Sequence, residues 1–320
     1  MRTKYILVPG EALIDRFENT TEIVEKVGGA PLNVAGALLM LHPNTYFVGC
    51  VGKDLQGEQI LHYLRLNHIP TMLIKQIIKR TTIAHVYLDS SGERHFTFTR
   101  GADEEMYLAA HQISDTKGVV LSSATAILEN ETYNVYLQYG LSKQINDALI
   151  AYDPNYRPAL FNTPELKKLF LERSRILTSL ADVAKFSEEE FELIYKHSYK
   201  DLVNNKELQR EFALKLLVVT LGERGTFVYF KNTAFEVPSV KTTVVDTTGA
   251  GDSFFGYLVA QILKTTDNLL SLTVNEIKKM VFKANLCACF VISKIGALES
   301  LPSEDELERF YLKNKHLINE

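Results

Sequence analysis

The sequence predicts an α/β fold: a central, mostly parallel β-sheet flanked by helices, with a small separate β-sheet. Strand-like apolar segments alternate with helix-like segments through most of the 320 residues, a pattern typical of parallel sheets covered on both faces. Two regions, 12–28 and 72–100, are instead extended, with little helix between them. We expect their strands to leave the main sheet and form the small one, which would act as a lid.

The predicted elements of the main sheet follow in chain order. Strand-like apolar runs occupy residues 5–8, 45–51, 118–122, 149–153, 181–186 and 216–220. Helices are expected from near Pro31, from Asp54 to about Asn67, across 130–147, from Thr163–Pro164 and from Ser187. Proline suits the first helical turn because its missing N–H needs no partner there.

Two hairpins and two late helices complete the pattern. Strand-like residues flank a Ser-Gly turn in YLDSSGERHFTF (87–98), and FVYFKNTAFEV (227–237) predicts a second hairpin. Capping boxes at Thr273-x-x-Glu276 and Ser303-x-x-Glu306 predict two helix starts. No repeat, low-complexity tract or long linker divides the chain. We therefore expect one domain over residues 1–320, with the lid formed by about 12–28 and 72–100.

Composition and charge disfavour several classes of function. The net charge is -4 and basic residues form no cluster, so we expect neither a nucleic-acid partner nor a membrane surface. No apolar run approaches the length of a membrane span, and we expect no signal peptide. The three cysteines, Cys50, Cys287 and Cys289, are odd in number. We expect no disulfide framework, buried apolar roles for Cys287 and Cys289, and a reducing, cytoplasmic location.

The stretch VVDTTGAGDSFFG (244–256) carries the clearest chemical signal. A strand-like run leads through TTGAG into a helix whose apolar residues recur at helical spacing. The loop amides would then point outward at a helix N-terminus, where negative charge is favoured, and glycines would let an anion approach closely. Asp252 follows this loop directly, and could either decorate the first helical turn or act on a bound group.

Seven segments in order resemble the ribokinase-like (PfkB) carbohydrate kinases, and the fructokinase branch in particular. They are GEALIDRF (10–17), GGAPLNVAGAL (28–38), GERHFTFTR (92–100), DPNYRP (153–158), AKFSEEE (184–190), VTLGERG (219–225) and DTTGAGDSFFG (246–256). The resemblance runs from about residue 4 to Pro302. It implies a ribokinase-like fold and ATP-dependent phosphorylation of a sugar hydroxyl, with magnesium accompanying ATP.

The same resemblance implies roles for individual residues. Asp252 would be the general base, and the amides of Gly249, Ala250 and Gly251 would form an anion hole for the transferring phosphoryl group. The residues implied at the sugar are Asp15, Gly28, Gly29, Asn33, Arg100 and Arg157, although Arg157 could also belong to a surface turn.

The nucleotide and ion contacts are implied in the same way. ATP would lie near Lys185, Thr220, Gly222, Gly225 and Asn285, where Asn285 could equally be a polar residue of a packed helix. Glu190 would act indirectly on magnesium, but Ser187-x-x-Glu190 is also a complete capping box. Asp246 and the carbonyl of Thr248 would hold a monovalent cation, which implies stimulation by potassium.

The acceptor implied most directly is fructose, giving fructose 6-phosphate. Another acceptor of the same family stays open: 2-keto-3-deoxygluconate, whose carboxylate Arg100 and Arg157 could pair, another sugar, or a nucleoside. A more distant alternative is a sugar- or nucleotide-binding protein without turnover. Strands that leave a main sheet expose unpaired edges, and the family often pairs its lids, so we expect a homodimer through the lid.

Overall fold

The chain forms a large sheet with a hydrophobic core on each face and a smaller separate sheet. The computed structural model describes residues 4–18, 23–88, 94–109, 115–213 and 215–318. The strands are β1 Tyr5–Pro9, β2 Leu13–Glu18, β3 Ile23–Gly28, β4 Thr45–Gly52, β5 Ile74–Ile77, β6 Ile83–Leu88, β7 Arg94–Thr99, β8 Thr116–Leu121, β9 Leu149–Tyr152, β10 Val183–Ser187, β11 Leu216–Thr220, β12 Thr226–Phe230 and β13 Thr233–Val237.

The helices alternate with the strands of the main sheet, as the sequence predicted. They are α1 Ala30–Leu39, α2 Leu55–Leu66, α3 Asn130–Leu141, α4 Lys143–Asn146, α5 Pro164–Leu180, α6 Glu188–Tyr195, α7 Lys206–Glu211, α8 Ala250–Thr265, α9 Val274–Ile292 and α10 Glu304–Asn314. The capping boxes predicted at Thr273 and Ser303 are present at the starts of α9 and α10. In the described ranges, no helix is long and apolar enough to cross a membrane.

The main sheet has the order β13-β12-β11-β10-β9-β8-β1-β4-β5 within the described part of the chain. Its strands pair in parallel except that β12 is antiparallel to both β11 and β13. Alternate residues of β1 point to opposite faces of the main sheet. Ile6 and Val8 pack in the core with α1 and α8, and Leu7 packs in the core on the other face. The predicted α/β class and the mostly parallel sheet are confirmed.

The small sheet has the order β3-β2-β6-β7. β2 pairs antiparallel with β3 and parallel with β6, and β6 pairs antiparallel with β7. The turn predicted between β6 and β7 lies outside the described residues. One segment assigned to the lid belongs elsewhere: Ile74–Ile77 is the edge strand of the main sheet, because it pairs in parallel with β4 from Gly49 to Gly52.

Candidate active site

A cavity of about 1750 Å³ lies between the small sheet and the carboxyl ends of the main parallel strands. This is the edge at which open α/β sheets hold ligands. The small sheet contributes Leu13, Asp15, Phe17, Lys26, Ala84, Val86 and Phe98; the main sheet and its loops contribute Glu11, Thr125, Tyr156, Arg157, Lys185, Glu190, Thr220 and the segment 246–252.

The glycine loop forms the N-terminus of α8 at the floor of this cavity. Gly249 is the N-cap residue, with φ 75 and ψ 4, and no side chain caps the helix there. A side chain at Gly249 would be strained by that φ, and its Cβ would lie 2.4 Å from the Cβ of Ala297. Of the three loop amides, that of Ala250 makes a long 3.3 Å hydrogen bond to the carbonyl of Thr247. The loop therefore presents helix-start amides to the cavity, where an anion is favoured.

Asp252 lies in the first turn of α8 and is 8% exposed. Its Oδ2 accepts a hydrogen bond from Nδ2 of Asn33 at 2.8 Å. Burial raises the pKa of Asp252, while the Asn33 hydrogen bond and the charges of Arg157 and Lys185 act in the opposite direction. A carboxylate in this position is buried enough to be basic and is oriented by a fixed donor.

Close packing of α1 against α8 brings Asn33 to Asp252. Gly256 makes this approach possible, since a Cβ there would lie 2.6 Å from the carbonyl oxygen of Val34. The residue thus permits contact between two helices that start about 220 positions apart in the chain. The sequence placed Asn33 at the sugar; in the structure it lines the cavity and also donates to Asp252.

Lys185 forms a buried ion pair beside the glycine loop. Its Nζ donates to Oδ2 of Asp153 at 2.9 Å, and the Asp153 side chain is inaccessible to solvent. A Cβ on Gly251 would lie 3.2 Å from that same Nζ. Burial favours the neutral amine, but the carboxylates of Asp153 and Glu190 outweigh it and raise the pKa of Lys185, so the ammonium is retained.

Asp153 was not identified from the sequence as a site residue. It is the last residue of the predicted strand 149–153 and precedes Pro154, and carboxylates at the carboxyl ends of parallel strands are natural candidates for a site. Burial raises the pKa of Asp153, and Lys185 opposes that shift. The pair fixes Lys185, which the sequence assigned to the nucleotide, at the edge of the loop.

Asp15 lies on β2 of the small sheet and lines the cavity. Its Oδ2 would be 2.2 Å from a Cβ placed on Gly28, so the glycine allows the carboxylate to lie against the backbone. Gly29 has φ 125, and a Cβ there would meet the carbonyl oxygen of Glu11 at 2.6 Å. Burial raises the pKa of Asp15 to about 6, against the opposing charges of Arg157 and Lys26.

Glu11 is a second carboxyl group that the sequence did not single out. It lines the cavity, is 5% exposed, and accepts hydrogen bonds from the hydroxyls of Ser123 and Thr125. Burial raises the pKa of Glu11 to about 7, partly offset by the hydrogen bond from Ser123. The signal that could have found it is its place two residues after the end of β1, in GEALIDRF.

The two arginines assigned to the sugar lie in different places. Arg157 lines the cavity and its charge acts on Asp15, Glu11 and Asp252. Arg100 is outside the residues that line the cavity. Its guanidinium lies 2.9 Å from a carboxylate oxygen of the buried Asp103 and 3.1 Å from a carboxylate oxygen of Glu129. The ion pair with Asp103 compensates the buried charge of that aspartate.

Glu190 serves as a helix cap in this structure. Its Oε2 accepts from the amide of Ser187 at 2.7 Å, within a complete capping box. Its Oε1 accepts from the amide of Tyr156 at 2.8 Å and so ties the loop after β9 to α6. Within the described ranges, no three His, Cys, Asp or Glu side chains come together to hold a metal ion.

Of the remaining residues assigned to the nucleotide, some line the cavity and others do not. Thr220 lines the cavity, whereas Gly222, Gly225 and Asn285 do not. Gly222 and Gly225 have φ 61 and φ 103 in the turn after β11. Asn285 is buried; it accepts from Thr226 at 2.7 Å and donates to the carbonyl of Pro238 at 3.2 Å, as the packed-helix alternative expects, and its nucleotide contact stays a prediction.

Asp246 organises the chain just before the glycine loop. Its Oδ1 accepts from the amide and the hydroxyl of Thr248, at 3.0 and 2.7 Å. Its Oδ2 accepts from the amide of Gly296 at 3.2 Å, which joins this segment to the loop after α9. The monovalent-cation site expected here stays a prediction.

Known proteins resemble this chain over nearly its whole length. Residues 3–304 match the family described as pfkB family carbohydrate kinase. The chain is 35% identical to fructokinase-1 of Zea mays over 317 residues, which covers 93% of this chain and 94% of the maize protein.

Two solved structures extend the comparison to three dimensions. The fructokinase of Xylella fastidiosa with bound ATP has a TM-score of 0.86 at 25% identity, covering 97% of this chain and 99% of that one. A double mutant of the fructokinase of Vibrio cholerae O395, with fructose, ADP and potassium ion bound, has a TM-score of 0.80 at 25% identity, with 96% and 98% coverage.

Proposed function

Because the chain belongs to the pfkB family of carbohydrate kinases, we propose that it transfers the γ-phosphoryl group of ATP to a hydroxyl of fructose, giving fructose 6-phosphate. The observation that carries this proposal is one arrangement: an amide-rich helix start and a buried carboxylate, Asp252, in the same cavity. Phosphoryl transfer needs positioning, charge neutralisation and a group that accepts the proton of the attacking hydroxyl.

Asp252 has the role of general base. The acceptor hydroxyl gives its proton to a carboxylate oxygen of Asp252, its oxygen bonds to the γ-phosphorus, and the bond from that phosphorus to ADP breaks. Burial raises the pKa of Asp252, which makes it a better proton acceptor than an exposed aspartate. The hydrogen bond from Asn33 orients the carboxylate toward the cavity.

The glycine loop and Lys185 hold the transferring group. The amides of Gly249, Ala250 and Gly251 and the ammonium of Lys185 lie together at the N-terminus of α8. Positive partial charge and a full positive charge at this point stabilise the negative oxygens of the phosphoryl group. The ion pair with Asp153 keeps the ammonium in place before the nucleotide binds.

Magnesium would enter with the nucleotide. It is usually held by one or two carboxylates together with substrate phosphates and keeps several waters, and Glu190, which lines the cavity, fits an indirect contact of that kind. When bound, magnesium neutralises charge on the phosphates. Potassium at Asp246 and the carbonyl of Thr248 is part of the same proposal.

The contacts of Arg100 favour a neutral sugar over a sugar acid. The sugar acid stayed open because Arg100 and Arg157 could pair its carboxylate, but Arg100 is engaged by Asp103 and Glu129. Of these two arginines, only Arg157 lines the cavity, where its charge acts on Asp15, Glu11 and Asp252, all of them carboxyl groups. Hydroxyls of a neutral sugar can donate to these groups, whereas a carboxylate on the acceptor would add a like charge beside them.

The small sheet acts as the lid that excludes water during transfer. We also propose that it pairs with a second copy. Its edge strand β3 is exposed at Ile23 (64%) and Val24 (38%), and an exposed apolar edge favours pairing. A cytoplasmic location belongs to the same proposal and is supported by Cys50, Cys287 and Cys289, which are free and buried.

The test is release of ADP from ATP and magnesium with a panel of acceptors. Fructose should give the highest kcat/KM among fructose, glucose, ribose, 2-keto-3-deoxygluconate and adenosine. A faster reaction with another acceptor would refute fructose and leave the kinase. No acceptor-dependent ADP release by a folded protein that binds ATP would refute catalysis and favour a binding protein.

A further inference from the structure

We propose that Lys26 is a specificity-determining residue of the sugar site, where its ammonium donates a hydrogen bond to the oxygen of the same sugar hydroxyl that donates a hydrogen bond to Asp15. The inference rests on the proposed function, in which Asp15 binds the sugar. Two charged side chains would thus recognise one hydroxyl: the carboxylate of Asp15 accepts its hydrogen bond, and the ammonium of Lys26 donates to its oxygen.

The register of the small sheet places the two residues opposite each other. In the antiparallel pair of β2 and β3, Asp15 is the direct partner of Lys26. Directly opposite residues project to the same face, with Cβ atoms about 4.5–5.5 Å apart. Both residues line the cavity. A hydroxyl bound by Asp15 is therefore within reach of the lysine side chain.

Phe17 holds the ammonium of Lys26 on the cavity side. The Nζ lies 5.6 Å from the centroid of the Phe17 ring, within the range of a cation–π contact. Phe17 is two residues beyond Asp15 on β2 and so shares its face, and it also lines the cavity. Among the described residues, the ammonium forms no ion pair or direct hydrogen bond, so its donors are available to a ligand.

The charge of Lys26 contributes to keeping Asp15 ionised. Arg157, from the loop after β9, and Lys26, from β3, are the cations that favour its ionised form. The other carboxyl groups that line the cavity among the described residues are Glu11, Glu25, Glu189, Glu190, Asp246, Asp252 and Glu299. Burial raises the pKa of Asp15 to about 6 despite both cations. Loss of Lys26 would raise it further and weaken the ionised acceptor.

The experiment compares Lys26→Met with Lys26→Arg and a matched control. Arg16→Met removes one positive charge from the residue next to Asp15, but Arg16 pairs with Glu25 and does not line the cavity. Each variant is assayed for kcat and KM with fructose and with ATP, and folding is checked by the thermal midpoint. Lys26 is exposed, so its replacement should leave that midpoint unchanged.

Lys26→Met should raise the KM for fructose by roughly tenfold or more, because a hydrogen bond to a charged group is lost. Its kcat and its KM for ATP should stay within about threefold of wild type, the spread we allow for changes outside the reacting atoms. Lys26→Arg should recover most of the loss, and Arg16→Met should behave as wild type.

Two further readouts separate hydroxyl recognition from general effects. In wild type, kcat/KM for fructose should fall as pH drops through about 6, where Asp15 takes a proton. In Lys26→Met that fall should begin at a higher pH, by roughly half a unit or more. The monodeoxyfructose that lacks the hydroxyl bound by Asp15 and Lys26 should have a lower kcat/KM than fructose in wild type. In Lys26→Met most of that difference should disappear, because the two changes remove the same interaction, as coupled partners do in a double-mutant cycle.

The outcomes distinguish this inference from the proposed function. If Asp15→Asn abolishes fructose turnover while Lys26→Met changes neither the KM for fructose nor the pH profile, Lys26 has no part in specificity and the kinase assignment stands. An equal penalty for every deoxyfructose in wild type and Lys26→Met also overturns the inference. Failure of the wild-type protein to phosphorylate any sugar refutes the proposed function itself.

Discussion

Replacement of Asp252 by asparagine tests the proposed mechanism at its centre. Asparagine keeps the size of the side chain and an oxygen that can accept the 2.8 Å hydrogen bond from Asn33, but it cannot take a proton. Turnover should fall by roughly 10² to 10⁴, the usual contribution of a general base. The KM values for fructose and ATP should change far less, because the loop amides, Lys185 and Asp15 remain.

Two opposing effects determine the free energy of unfolding of this variant. Burial raises the pKa of Asp252 in the folded protein above its unfolded value, so ionisation of Asp252 at neutral pH opposes folding. Removing that charge favours the folded state. Removing a negative charge from the first turn of α8 costs about 0.3–1 kcal/mol. The two effects oppose each other, and the thermal midpoint should stay within about 3 °C of wild type.

Asp54→Asn is the matched control. Asp54 is the N-cap of α2, and its two oxygens accept from the amide of Gly57 and from the amide and hydroxyl of Thr81. Asparagine has one acceptor oxygen, so a backbone N–H loses its partner at a cost of about 1–3 kcal/mol. This variant should be less stable but keep its kcat.

ADP release measures the rate, isothermal calorimetry the binding of both substrates, and differential scanning calorimetry the stability. The reasoning is refuted if Asp252→Asn is folded, binds fructose and ATP, and turns over within about threefold of wild type, far short of a general-base loss. Asp252 would then be only a helix-start residue.

Other predictions follow from the same contacts. Gly249→Ala should lower the free energy of unfolding by about 1–3 kcal/mol and reduce kcat, because φ 75 and the contact with Ala297 both exclude a Cβ; urea unfolding and ADP release measure the two effects. Glu190→Gln should lower the free energy of unfolding by about 1–3 kcal/mol, since one of two backbone amides loses its acceptor. If the magnesium concentration for half-maximal activity is unchanged in this variant, Glu190 caps the helix and has no part in magnesium binding. Potassium should stimulate the reaction through Asp246 and Thr248, and equal rates in potassium and a bulky organic cation, at matched ionic strength and magnesium, would count against it. Light scattering at micromolar concentration should give the mass of a dimer, and a monomer mass would rule out pairing of the small sheets.

The sequence was sufficient for features that depend on neighbouring residues. Strand positions, the capping boxes at Thr273 and Ser303, and the glycine loop before Asp252 follow from periodicity and backbone chemistry within a few positions. The resemblance added an order of motifs, and the family and fold comparisons confirm it. The one segment misassigned to the lid, Ile74–Ile77, is a four-residue strand. Such a short run carries no signal that distinguishes pairing with β4 from pairing with β6.

Only the tertiary structure decided which side chains meet. Asn33 and Asp252 are 219 positions apart and come together because Gly256 lets α1 approach α8. Arg100 pairs with Asp103, whose burial no local pattern reveals, and the sugar contact that the resemblance implies for Arg100 stays a prediction. Lys26 faces Asp15 through a strand register set by the whole small sheet. Such pairings depend on packing and register across the fold, and those are set by the sum of many distant contacts rather than by the residues beside each motif.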